Sequence, residues 1–177
     1  MLRPLLPSDF PKIVQWTKDP DVGHYMDDDG CPEALADCEA WYKELPRNRR
    51  NRRLIIATLD GRPIGDVELD HITWRSREAE LRIRIGEGDY RGKGYGVEAV
   101  TALLVHAFDE MKLSQVYLRV ASNNIAAIRC YEKVGFKKQG KLLRNEPHPG
   151  LQREIYLMRI LKDEFHKTHS CYHRQVG

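Results

Sequence analysis

The chain has 177 residues, of which 41% are hydrophobic and 31% charged, with 29 Lys and Arg against 26 Asp and Glu for a formal charge of +3. That length and apolar share can bury one substantial core and exclude wholesale disorder, while a charge so near neutral does not single out a nucleic-acid partner. Four scattered cysteines do not make a disulfide framework, and no run approaches the roughly 18 apolar residues of a membrane span, so a cytoplasmic protein without membrane attachment is expected.

MLRPLL predicts a short first strand, and Ser8 is placed to cap a helix over 9–18 that carries Phe10, Ile13, Val14 and Trp16 and stops at Asp19 and Pro20. Beyond DDDG at 27–30, Pro32 opens a second helix toward Pro46, with Leu35, Cys38, Trp41, Tyr42 and Leu45 on its apolar side. Runs 54–59 and 63–70 flank Asp60 and Gly61, which predicts an antiparallel hairpin, and AELRIRI at 79–85 alternates as a third strand. The period then lengthens to that of a helix over 95–111. VYLRV at 116–120 reads as a strand, 124–134 as a helix ended by Gly135, and 136–142 and 154–161 as closing strands. This order predicts a mixed α/β fold, a central sheet flanked by helices, in one domain over 1–165 with a flexible tail over 166–177.

The run IGEGDYRGKGYGVEAV at 85–100 joins a strand to a helix. Gly92, Gly94 and Gly96 permit a tight turn and close backbone approach, so amides around 92–97 can converge on phosphate oxygens, with Arg91 and Lys93 adding positive charge. The spacing matches neither the P-loop nor the dinucleotide pattern, and on its residues alone the run is as well explained by a structural turn.

Two further runs raise the first explanation. LRPLLPSDFPKIVQW with DPDVGHY, RGKGYG, and NNIAAIRCYEKVGF follow one another in the order of the GCN5-related N-acetyltransferase (GNAT) superfamily, which the chain resembles. The likeness points to the branch of ribosomal-protein alanine acetyltransferases and small bacterial amine acetyltransferases. RGKGYG resembles the family's (Q/R)xxGx(G/A) acyl-CoA loop. The resemblance implies that acetyl-CoA is bound and that backbone amides of Gly92, Lys93, Gly94, Tyr95 and Gly96 hold its pyrophosphate, helped by the charges of Arg91 and Lys93. It implies further that parallel strands around 79–85 and 116–120 splay to admit the pantetheine arm, with backbone near Ile83 and Ile85 positioning the thioester. Asn124 would lie beside that arm. Tyr131, seven residues on and so on the same helical face, would donate a proton to the leaving thiolate.

The implied reaction is direct attack of a primary amine on acetyl-CoA, without a metal. An ammonium must first lose a proton, for which Glu80 is the leading base and Glu68 the reserve; Glu80 alternatively neutralises Arg82 and Arg84 on its own strand face. The acceptor is expected to be an amine of a small molecule or peptide. A ribosomal-protein N-terminus is the nearest alternative, and a non-catalytic acyl-CoA-binding module the alternative of another class. Asp27, Asp28, Asp29, Trp41 and Tyr42 are placed to surround the acceptor, or the three carboxylates form a solvated loop. Arg47, Arg49, Arg50, Arg52 and Arg53 read as a solvated basic loop, and direct nucleic-acid binding is not expected. His166, His169, Cys171 and His173 lack a zinc spacing, His71 belongs to no triad pattern, and Cys130 reads as packing.

Overall fold

The computed structural model describes residues 1–23, 30–145 and 152–169, and within them alternating side chains build one seven-stranded sheet. Its strands are β1 (Leu2–Pro4), β2 (Arg52–Ala57), β3 (Pro63–Thr73), β4 (Glu78–Ile85), β5 (Gln115–Ala121), β6 (Lys137–Asn145) and β7 (Gln152–Leu161). They lie in the order β1-β2-β3-β4-β5-β7-β6. Every neighbouring pair is antiparallel except β4 with β5. The helices are α1 (Phe10–Lys18), α2 (Pro20–Gly23), α3 (Leu35–Glu44), α4 (Tyr95–Val105), α5 (Ile125–Val134) and α6 (Lys162–Thr168). This is the mixed sheet flanked by helices that the sequence predicts, and no described helix is long and apolar enough to cross a membrane.

The period of two divides the sheet into unlike faces. Ile56, Val67, Leu69, Leu81, Val116 and Leu118 share the main core with Val100, Leu103, Leu104 and Phe108, from α4 and its extension. Ile55 and Ala57, the alternate residues of β2, form a smaller core with Leu5, Ile13 and Trp16. Register places Ile55 beside Asp66 and Arg53 beside Glu68, so this second face carries a buried charged band in the middle of the sheet.

Four local expectations change. Ser8 does not cap α1: a 3-10 turn at Pro7–Asp9 precedes the helix, and the Asp9 carboxylate accepts the Leu6 N–H at 2.9 Å and two bonds of 2.7 Å from Arg3. An ion pair reaching back to the first strand takes over the start of the helix. The second helix begins at Leu35 rather than Pro32, and α4 passes into a π-helical turn at His106–Glu110 before the chain leaves it. After β7 comes α6, which spans position 166, where the sequence places the start of a tail. Seven residues are too few to declare a period, but Phe165 is buried against Phe108 with ring centroids 5.5 Å apart.

Candidate active site

Parallel pairing between β4 and β5 covers only Glu78 with Gln115, Ala79 with Val116 and Glu80 with Tyr117. Beyond Glu80 the strands part, and the opening is a cavity of about 90 Å3 whose lining includes Glu80, Ile83, Arg119, Asn124 and Tyr131. The seven-residue spacing thus brings Asn124 and Tyr131 to one wall. Asn124 caps α5, its side-chain oxygen accepting the Ala127 N–H at 3.2 Å, and Gly135 ends the helix at φ 109°. Ile85 lies past the cavity, on the way to the glycine loop.

In that loop Gly92 and Gly94 hold φ of 72° and 93°, left-handed values that glycine adopts without cost. A Cβ at either would meet no heavy atom within 4 Å, so the loop is open on its outer side. At Gly96 a Cβ would stand 3.3 Å from Cys130 Sγ, which makes this glycine a helix-packing position. The Glu98 N–H reaches Gly94 O at 3.1 Å, and the amides of Tyr95, Gly96 and Val97, one turn earlier, have no intrahelical acceptor. Arg91 turns inward, with Nε donating to Ile85 O at 2.9 Å and Nη2 to Gly86 O at 3.3 Å, and so ties the loop to the end of β4. Lys93 is exposed. Open amides at a helix start fit a pyrophosphate, and strands that part fit an extended acylated arm; the residues therefore fit acetyl-CoA.

Tyr131 is 6% exposed, and burial, with Cys130 beside it, pushes its phenol far above the ordinary tyrosine range. The hydroxyl is held protonated, the state a donor requires. Burial likewise pushes the Cys130 thiol up to about 11, consistent with a packing residue and not a nucleophile.

Glu80 does not neutralise Arg82 and Arg84. Side chains two apart on a strand stand roughly 7 Å apart, and the nearer guanidinium comes from the neighbouring strand. Arg119 of β5 donates to Glu80 through Nε (2.8 Å to Oε1) and Nη2 (2.9 Å to Oε2). Arg84 pairs with Asp66, and Arg82 stands 3.5 Å from Asp70. Glu68 lies off the cavity, 2.7 Å from Arg53 and accepting from Asn51 at 2.9 Å, with burial outweighing these contacts to raise its carboxyl. His71, passed over in the sequence for want of a triad, places Nδ1 3.5 Å from Glu80 Oε2 and 3.0 Å from Asp70 Oδ2. No periodicity could have found it, because a register slip in β3 brings it there.

The basic run separates. Arg53 is buried between Asp66 and Glu68 and lies over the Trp41 ring, Arg47 pairs with Glu44, and Arg49, Arg50 and Arg52 are exposed. Tyr42 donates to Leu5 O at 3.3 Å and packs edgewise on Phe10, so Tyr42 and Trp41 seat α3 and do not line the cavity. His166 meets Asp109 at 3.2 Å and His169 stacks on Phe165. Asp27, Asp28, Asp29, Cys171 and His173 lie outside the described residues.

Residues 1–137 match the model of the acetyltransferase (GNAT) domain. The chain is 30% identical over 170 residues to spermidine N(1)-acetyltransferase of Escherichia coli strain K12, covering 94% of this chain and 90% of that one. It is 25% identical over 150 residues to aminoglycoside N(6')-acetyltransferase type 1 of Klebsiella pneumoniae, covering 78% and 74%. Among solved structures, spermidine N-acetyltransferase from Vibrio cholerae in complex with CoA and spermine superposes with a TM-score of 0.83 at 26% identity, covering 93% of this chain and 96% of that one.

Proposed function

Since the chain belongs to the acetyltransferase (GNAT) family and is an acetyl-CoA-dependent N-acetyltransferase, we propose that its acceptor is a primary amine of a polyamine or an aminoglycoside. The observation that carries this reading is the cavity where β4 parts from β5, with Glu80 and Tyr131 on its walls. Two named relatives and a complex containing spermine favour small polycationic amines. A ribosomal-protein acceptor finds no support in them. A catalytic domain over 1–165 and a cytoplasmic setting belong to the same reading.

Acetyl-CoA, when bound, supplies an acetyl group activated as a thioester. The amides from Gly92 to Gly96 and the exposed Lys93 hold its diphosphate end at the start of α4, while Arg91 fixes the loop. Backbone groups at Ile83 and Ile85 and the side chain of Asn124 align the arm. Backbone N–H groups freed where the strands part are placed to steady negative charge on the carbonyl oxygen. Glu80 takes a proton from the amine, and Tyr131 returns one to sulfur. Glu68 is given to the Arg53 band and left out of the chemistry.

The test is product formation. Mass spectrometry after incubation with acetyl-CoA and spermidine, spermine, an aminoglycoside or free-amine peptides is expected to show acetylated polyamine or aminoglycoside. Acetylation of peptides alone would overturn the acceptor assignment. Acetyl-CoA binding without product from any amine would support a regulatory acyl-CoA-binding module.

A further inference from the structure

We infer that His71 is the proton outlet of the acetylation site, a positioning residue that takes the acceptor's proton from Glu80 and passes it to water, which rests on the proposal that Glu80 faces the reacting amine. β3 and β4 pair from Gly65 with Ile85 to Asp70 with Glu80, and the register then slips before Thr73 pairs with Glu78. His71 occupies the slip at φ 51°, a left-handed conformation that is uncommon for residues with a Cβ and is found here at the point where the ladder breaks. The imidazole so turned has Nδ1 3.5 Å from Glu80 Oε2 and 3.0 Å from Asp70 Oδ2. Its side chain is 52% exposed against 5% for Glu80. One ring thus spans from a buried carboxylate on the cavity wall to solvent.

The proton balance requires an exit. A primary ammonium carries three N–H protons, the acetamide keeps one, the thiol product takes one, and one must leave. On Glu80 that proton competes with both hydrogen bonds from Arg119. An N–H bond of the ammonium breaks as an O–H bond forms on Glu80; that bond breaks as an N–H bond forms on the His71 ring, giving an imidazolium beside the Asp70 and Glu80 carboxylates. The imidazolium then gives one proton to water and returns to the neutral ring for the next turnover. His71 faces Asp70 on its own strand and Glu80 from β4; those two carboxylates in turn meet Arg82 of β4, Arg119 of β5 and Asn51, and Tyr117 of β5 lies in the field of Glu80, Glu78, Arg119 and Asp70. His71 is the one imidazole among them, and imidazole is the side chain that ordinarily exchanges protons near neutrality.

His71→Ala and His71→Gln in the full chain test this, with the amine that the product screen identifies. The expected result is a kcat lowered roughly tenfold or more in both variants, with acetyl-CoA affinity and melting temperature close to the parent's. Free imidazole should restore part of the rate to His71→Ala. Glutamine can keep a hydrogen bond to the carboxylates but cannot take up a proton, so a His71→Gln enzyme as fast as the parent would reduce His71 to a structural role and overturn the proposal. A kcat within about twofold of the parent in both variants would overturn it as well. A second arm needs no turnover: the His71 ring nitrogen NMR signals should move on Glu80→Gln, and unmoved signals would refute the link. If no amine is acetylated by the parent, the acceptor reading fails while this second arm still decides the contact.

Discussion

Tyr131 and Glu80 reach one cavity from a helix and a strand, the phenol buried and the carboxylate held by two hydrogen bonds from Arg119. Tyr131 is buried and pushed upward, so it keeps its proton where an exposed tyrosine, near pH 10, would lose it. The pH–rate profile should therefore show no loss attributable to a tyrosine up to about that pH. Stability follows the same shift with a definite sign. A raised folded value contributes stability below the unfolded value and loses it above, so melting temperature should fall more steeply in the parent than in Tyr131→Phe, which keeps the raised Cys130 and Tyr117, as pH climbs past about 10. At neutral pH Tyr131→Phe is expected to lower kcat roughly a hundredfold with acetyl-CoA affinity unchanged, and an unaltered kcat would remove the phenol from the chemistry.

At the scale of elements, the site exists because β4 and β5 run parallel for three residues and then separate, while α4 begins beyond the end of β4. Two glycines at that end do different work. Gly86 lies beneath Trp16, where a Cβ would stand 2.3 Å from the indole ring, and the ring is pinned by its Nε1–H bond of 2.9 Å to Glu87. Gly94 faces open space. Gly86→Ala is expected to cost roughly 1–3 kcal/mol in urea unfolding, because Trp16 cannot move aside without losing its bond and its place in the smaller core. Gly94→Ala carries a backbone penalty of about 1–2 kcal/mol and chiefly weakens acetyl-CoA binding, measured by calorimetry. Equal binding by Gly94→Ala and parent would mean that the loop does not approach the nucleotide closely.

At the scale of the whole molecule, the first strand, the first helix and the loop between them are joined through Asp9. Burial opposes its ionisation, but the hydrogen bonds from Arg3 and from the Leu6 N–H, with the charge of Arg3, outweigh that and hold the carboxyl below its ordinary value. A depressed value contributes stability above the unfolded value, near 4, that is lost as pH falls through the folded one. Asp9→Asn should thus lower stability by about 1–3 kcal/mol at pH 7 and converge on the parent in strong acid, which urea melts at the two pH values would check. The hairpin of β2 and β3, the alternation of β4, the helices α4 and α5 and the glycine loop were legible in the chain because each depends on residues within a few turns or a few alternations of one another. For the same reason Asn124 and Tyr131 could be set on one face. The partner of Glu80, the place of His71, the seating of Trp16 over Gly86 and the docking of α6 were not legible. Each depends on which strand lies beside which, and on a register slip between two of them, and those contacts arise only when segments distant in sequence are packed against one another.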